Sequence, residues 1–128
     1  MQQTVLIVED EQDLREAMAD YLRNNNYRVI EAEDGQQGLQ MALHEHPDVI
    51  LLDLMMPIMD GHHLLKKLRL DRWGMTAKVI IMSAMDDVKN IGGAYENGIT
   101  EYIIKGEASL AELAKKVRET VFAEAHKQ

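Results

Sequence analysis

Four short apolar runs constrain the fold of this chain most: Val5-Leu6-Ile7-Val8, Val49-Ile50-Leu51-Leu52, Val79-Ile80-Ile81-Met82 and Tyr102-Ile103-Ile104. Each is apolar throughout rather than alternating. That is the pattern of a strand covered on both faces, as in a parallel sheet with helices on either side. A fifth stretch, Tyr27 to Ala32, mixes polar and apolar residues and reads as a more exposed edge strand. Between the runs the period becomes helical. Leu14, Ala17, Met18, Tyr21 and Leu22 share one helical face, and Leu39, Ala42 and Leu43 repeat the spacing. Leu64, Leu65 and Leu68 do so again, followed by Val88, Ile91 and Tyr95. The last helix carries Leu110, Leu113, Ala114, Val117 and Val121, and Ser109 with Glu112 has capping-box spacing at its start. Repeated β-α units with right-handed crossovers make an α/β fold, a doubly wound (βα)5 three-layer sandwich on a five-stranded parallel sheet.

At 128 residues the chain is expected to be one domain, 1–128, without an internal linker. Asn24-Asn25-Asn26 reads as a turn, and any effector domain is expected to be absent or to lie beyond this sequence. The absence of cysteine excludes disulfides, zinc-thiolate sites and thiol nucleophiles. No apolar run is long enough to cross a bilayer, and the first leads straight into acids rather than forming a signal peptide. A cytoplasmic protein without membrane contact is expected. The formal charge of −8 argues against nucleic-acid binding by the domain itself.

Open parallel sheets bind ligands beyond the carboxyl ends of their strands. There the sequence puts Glu9 and Asp10 after the first strand, Asp53 after the third, Ser83 after the fourth and Lys105 after the fifth. Taken singly, each is an ordinary cap or loop residue; together at one edge they make a cluster. Neighbouring carboxylates repel by about 4 kcal/mol per pair at an effective dielectric of 20. A divalent cation relieves that repulsion, and magnesium suits hard oxygen donors. Asp10 and Asp53 are the expected direct ligands, Glu9 acts through a water, and a backbone carbonyl just after Asp53 completes the protein share. A carboxylate can attack phosphorus to give an acyl phosphate. The ion, Lys105 and Ser83 with nearby N–H groups would each cover one phosphoryl oxygen. Asp53, leaving the central strand, is the expected nucleophile.

These residues resemble the CheY-like receiver domains of two-component systems. The resemblance rests on Val5 through Glu11, on Asp53-Leu54-Met55-Met56-Pro57-Ile58-Met59-Asp60-Gly61, on Ser83-Ala84 and on Tyr102 through Lys105. It covers nearly the whole chain and implies a flavodoxin-like strand order 2-1-3-4-5. It further implies a phosphoacceptor switch rather than an enzyme. Asp53 would take phosphate from a histidine kinase or phosphotransfer protein, with Mg2+ (Mn2+ as a substitute) held in part by the Met55 backbone carbonyl. Ser83 and Tyr102 resemble the family's switch pair, although Tyr102 reads equally as a half-buried strand aromatic. The face of the fourth helix, fifth strand and fifth helix would change its affinity for a downstream effector, with a phosphorylation-dependent homodimer admissible.

The chain departs from the family in carrying Gly106 where a proline usually follows the lysine. A non-proline cis bond costs about 3–4 kcal/mol, so a trans bond and a reshaped loop are expected, with Lys105 still reaching the site. Met55 and Met85 lie two residues after Asp53 and Ser83, at positions where the family tunes phosphate lifetime. Neither orients an attacking water, so slow self-dephosphorylation is expected, although both read equally as packing filler. His62 and His63 diverge by about 100° on a helix and cannot chelate from one face. They, His44, His46 and His126 are read as surface residues. Of the rival readings, a magnesium-dependent aspartyl phosphohydrolase resembling the dehalogenase superfamily needs a second acid where Met55 stands. A flavin module needs a phosphate-cradling loop where Glu9-Asp10-Glu11 stands. A receiver-like binding module that works without phosphorylation stays open through Gly106.

Overall fold

The computed structural model describes residues 2–56, 58–84, 92, 96, 98–99 and 101–122. Strands β1 (Thr4–Val8), β2 (Arg28–Ala32), β3 (Val49–Asp53), β4 (Val79–Ser83) and β5 (Glu101–Ile104) form one sheet in the order β2-β1-β3-β4-β5, every described pair parallel. The helices are α1 (Gln12–Asn24), α2 (Gly35–Glu45), α3 (Gly61–Arg69) and the last helix, here α4 (Leu110–Val121). The helix expected around Val88, Ile91 and Tyr95 lies outside the described residues, except that Gly92 and Glu96 are helical. Met85 and His126 also lie outside them.

Because the central strands carry continuous apolar runs, each contributes to two cores. Val5, Ile7, Val49, Leu51, Ile80 and Met82 pack with α1 and α4. Leu6, Val8, Ile50, Leu52, Val79 and Ile81 pack with α2 and α3 on the other face. Residues β1 and β3 are wholly buried from Val5 onward and from Val49 onward, while the edge strand β2 opens with exposed Arg28. The capping box of α4 is formed: Glu112 N–H donates to Ser109 Oγ at 3.1 Å, and Ser109 N–H to Glu112 Oε1 at 3.0 Å.

Two helical faces differ from the periodicity reading. In α1 the buried residues are Arg15, Met18, Ala19 and Leu22, whereas Ala17 is exposed. The stripe is turned because the Arg15 guanidinium is held inside, its Nη1 donating to the Glu9 carbonyl oxygen at 2.8 Å. In α2 the buried face is Gly35, Gly38 and Ala42, while Leu43 is largely exposed. Small residues bring this helix against the sheet so closely that a Cβ on Gly38 would stand 2.7 Å from Val8 Cγ1. Bulk on that face would clash.

The segment joining β3 to α3 is pinned at both ends. Gly61 N–H donates to the Leu54 carbonyl oxygen at 2.8 Å, and Asp60 caps α3 by accepting from His63 N–H at 2.9 Å. Met56 and Met59 pack against the α2–α3 core. Within this frame Ile58 has φ 70°, the left-handed region, with its side chain 77% exposed. That region costs an L-residue roughly 1–2 kcal/mol, and asparagine tolerates it best after glycine. Ile58→Asn is therefore expected to raise the unfolding free energy by about 1 kcal/mol, read from urea midpoints at unchanged m-value.

Candidate functional site

The strand order sets β3 between β1 and β4, and the carboxyl ends of β1, β3 and β5 converge on one rim. Glu9, just past β1, is fully buried, and Asp53, the last residue of β3, is buried too. Lys105 follows β5, its backbone N–H donating to the Ser83 carbonyl oxygen at 2.8 Å, and its side chain reaches back over the sheet end. Lys105 Nζ donates to Asp53 Oδ2 at 2.9 Å and lies 2.6 Å from Glu9 Oε1. The second contact is an ion pair by distance without hydrogen-bond geometry, so Glu9 Oε1 is a buried oxygen with no hydrogen bond. The remaining oxygens are satisfied locally: Glu9 Oε2 accepts from Glu11 N–H at 3.1 Å, and Asp53 Oδ1 from Met55 N–H at 3.2 Å. Asp10 is exposed at the rim. One carboxylate oxygen from each of Glu9, Asp10 and Asp53 lies within 4.8 Å of the others.

These distances and donors fit a small hard cation. Oxygens on opposite sides of magnesium stand ~4.2 Å apart, since each bond is ~2.1 Å. Lying within 4.8 Å of one another, the three oxygens are close enough to share one ion, directly or through a bridging water. Glu9 Oε1, buried without a hydrogen bond and facing only the Lys105 ammonium, is the oxygen this residue could offer to an ion.

Burial and mutual repulsion set the protonation of the group. Burial pushes the Glu9 carboxyl up to about 7, and the Asp53 charge adds to this, while Lys105 and the Glu11 N–H pull the other way. Burial likewise raises Asp53, opposed chiefly by Lys105. For Lys105, burial favours the neutral amine, but the two carboxylates outweigh it and hold the ammonium above its ordinary value.

Of the residues singled out in the sequence, Glu9, Asp10, Asp53 and Lys105 meet in this pocket. Ser83 ends β4 one step beyond the level of Asp53, since Asp53 pairs with Met82. It is buried, and its hydroxyl donates to the Ala84 carbonyl oxygen at 3.2 Å. Tyr102 pairs with Ile81 and rests half-buried against the α2–α3 core, two residues before the level of Ser83. Met55 stands at the rim with its side chain 55% exposed. No cis peptide bond occurs among the described residues, so Lys105–Gly106 is trans; Gly106 takes φ 84°, which glycine tolerates. Among the histidines, His46 stacks on Trp73 with centroids 4.4 Å apart, and His62 is partly buried.

Two supporting residues escaped the sequence reading. Arg15 holds the Glu9 backbone carbonyl and lies 3.4 Å from Glu31 through Nε, fixing the start of the pocket from α1. Its only signal was a cation inside an apolar stripe. Gly61 lies directly behind β3, where a Cβ would come 2.7 Å from the Asp53 carbonyl oxygen and 2.7 Å from Leu54 Cα. Both obstacles are backbone. Gly61→Ala is expected to cost about 1–3 kcal/mol by overpacking, measured by thermal unfolding, and to shift the Asp53 amide resonance.

Residues 5–118 match the response regulator receiver domain family, and the chain belongs to that family, the receiver domains of two-component systems. Among characterised relatives, the response regulator ArlR of Staphylococcus aureus is 35% identical over 114 residues, covering 89% of this chain and 50% of that protein. A probable transcriptional regulator, ycf27 of Porphyridium aerugineum, is 33% identical over 114 residues, covering 89% of this chain and 46% of its own length. The chain thus spans about half the length of the curated relatives it matches. Its fold is that of a CheY-like receiver domain protein from Methanospirillum hungatei, at a TM-score of 0.90, 23% identity and full coverage of both chains. It is also similar to the receiver domain of a sensor histidine kinase from Pseudomonas aeruginosa with magnesium coordinated in its active site cleft. That likeness has a TM-score of 0.85 and 26% identity, over 94% of this chain and 98% of the other. Among the described residues, no helix is long and apolar enough to cross a membrane.

Proposed function

We propose that this receiver domain is a phosphoacceptor switch of a cytoplasmic two-component phosphorelay, taking a phosphoryl group on Asp53 from a histidine kinase or phosphotransfer protein. The observation that carries the reading is the Lys105 ammonium shared between Asp53 at 2.9 Å and Glu9 at 2.6 Å, with Asp10 in reach of both acids. A divalent ion, magnesium or manganese, held by Asp10, Asp53 and the Met55 carbonyl with Glu9 through water, would supply charge neutralisation at one phosphoryl oxygen.

The chain's own residues do the rest. An Asp53 carboxylate oxygen attacks phosphorus in line; the P–N bond to the donor imidazole breaks, and its electron pair stays on nitrogen, which takes a proton. Lys105 turns from the two carboxylates to a phosphoryl oxygen, exchanging one ion pair for another. The Ser83 hydroxyl leaves the Ala84 carbonyl for a second oxygen, and the Tyr102 ring follows into the vacated space. The result is a population shift on the face of β5 and α4, biased by contacts that exist only with phosphate present. That face would meet a downstream effector or a second copy of the chain. A phosphohydrolase is disfavoured because Met55 occupies the place of the second acid and stands open at the rim.

Acetyl phosphate with Mg2+ tests the reading. Intact mass is expected to show one added phosphoryl group per chain, lost with a chelator and absent in Asp53→Asn. Equal labelling of Asp53→Asn would refute it.

A further inference from the structure

The buried face of α1 consists of Arg15, Met18, Ala19 and Leu22, so one of its members is charged. A guanidinium stays inside a protein only where its donors are engaged. Two partners engage this one: Nη1 donates to the Glu9 carbonyl oxygen at 2.8 Å, and Nε lies 3.4 Å from Glu31 Oε1. Glu31, on the edge strand β2, is held in turn by α1, its Oε2 accepting from Arg23 Nη2 at 3.2 Å. The Arg15 guanidinium thus stands in a frame of α1 and β2. An apolar residue would continue the stripe, and replacing buried ionic groups in that way often costs no stability. The fold alone does not call for arginine here.

The carbonyl that Arg15 holds is a particular one. It belongs to the peptide group joining Glu9 to Asp10, and a peptide group is planar. Fixing its oxygen fixes the plane from which both acidic residues depart. On the other side, Glu9 N–H donates to the Ala32 carbonyl oxygen at 3.1 Å. Asp10 is exposed, so packing does not place it, and among the described residues the Glu11 side chain does not cap α1. One buried hydrogen bond therefore governs how the Glu9 and Asp10 carboxylates are spaced, and both belong to the three acids whose oxygens lie within 4.8 Å.

We infer that Arg15 is a positioning residue that sets which divalent ion the acid cluster prefers, by holding the Glu9–Asp10 peptide in the geometry a small ion requires. This rests on the reading of Glu9, Asp10 and Asp53 as an ion site. Magnesium demands near-ideal octahedral geometry at about 2.0–2.1 Å, whereas calcium accepts six to eight oxygens at about 2.3–2.6 Å in flexible arrangements. Loosening the peptide therefore penalises magnesium more than calcium. A guanidinium acting only through its charge would do the opposite, because removing a cation near three acids strengthens the binding of any other cation. Position and charge predict opposite signs.

The test is Mn2+ binding to the full chain at pH 8, followed by electron paramagnetic resonance, with Mg2+ and Ca2+ as competitors and circular dichroism to verify the fold. Arg15→Met is expected to weaken Mn2+ and Mg2+ about tenfold, as loss of a group that orients ligands does. Ca2+ should weaken about threefold or less, since its coordination is more tolerant. Glu31→Ala leaves the guanidinium in place without its second anchor, and should move the Mg2+-to-Ca2+ ratio in the same direction by a smaller factor. Unchanged or tighter Mg2+ binding by folded Arg15→Met overturns the inference, and so does an equal loss for both ions. If Arg15→Met does not fold, Glu31→Ala decides, and an unaltered ratio in that variant overturns the inference. A wild type that binds none of the three ions fails the ion-site reading itself, and the inference with it.

Discussion

Lys105→Met should destabilise the ion-free domain by about 3 kcal/mol at pH 8, since removing one partner of a buried ion pair strands the others. Lys105 is the ammonium common to Glu9 and Asp53, whose side chains are 0% and 5% exposed. Because its folded pKa is raised, the stabilisation is fully present at neutral pH and is lost only as pH climbs past the ordinary lysine value and through the folded one. The deficit should shrink at pH 6, where Glu9 in the variant takes up a proton instead of standing charged beside Asp53. Magnesium should bind the variant more tightly than the wild type, since no ammonium competes for the carboxylates. Urea unfolding at both pH values, with and without Mg2+, reads all three effects. An unchanged midpoint at pH 8 would mean that the lysine does not hold the acids together in solution.

The second large effect is a pH dependence carried by Glu9. Its carboxyl is raised from 4.5 to about 7 in the folded chain, chiefly by burial. Folding therefore takes up a proton in that window, and the unfolded state binds fewer protons than the native one. By linkage, stability of the ion-free protein falls as pH rises from about 4.5 through about 7, by an amount on the order of 3 kcal/mol at one unit per 1.36 kcal/mol. Asp53, raised in the same direction, adds to the slope. Magnesium binds the deprotonated cluster, so its affinity should climb over the same interval and its stabilising effect should be largest at pH 8. Glu9→Gln should flatten both curves. A wild-type stability that rises between pH 5 and pH 8 without metal would contradict the burial of a protonatable Glu9.

What the sequence disclosed and what it hid divide along physical lines. The strands were legible because residues 5–8, 49–52 and 79–82 are apolar on both faces, which only a two-sided burial requires. Glu9, Asp10, Asp53 and Lys105 were legible because a parallel sheet delivers all its strand ends to one edge. The helical faces were less so, since periodicity counts Arg15 as polar and Leu43 as apolar. In the fold, a guanidinium with a carbonyl partner is buried and a leucine on the outer side of α2 is not. The expected strand-end convergence of Ser83 is met by its backbone but not by its hydroxyl, which bonds to Ala84. Nothing in one-dimensional pattern distinguishes these orientations. The left-handed conformation of Ile58 was equally invisible, because it is imposed by anchors at Leu54, Met59 and Gly61 rather than by isoleucine's own preference. Lys105 reaching both acids without the usual proline was anticipated, and Gly106 permits it with a trans bond.

The chemistry of the modified bond tests the central claim most directly. After phosphorylation by acetyl phosphate and Mg2+, borohydride reduction converts an aspartyl phosphate to homoserine, and peptide mass mapping locates the converted position. Homoserine at position 53 and nowhere else is the predicted result; conversion at Asp10 or another acid, or phosphate that resists reduction, would contradict it.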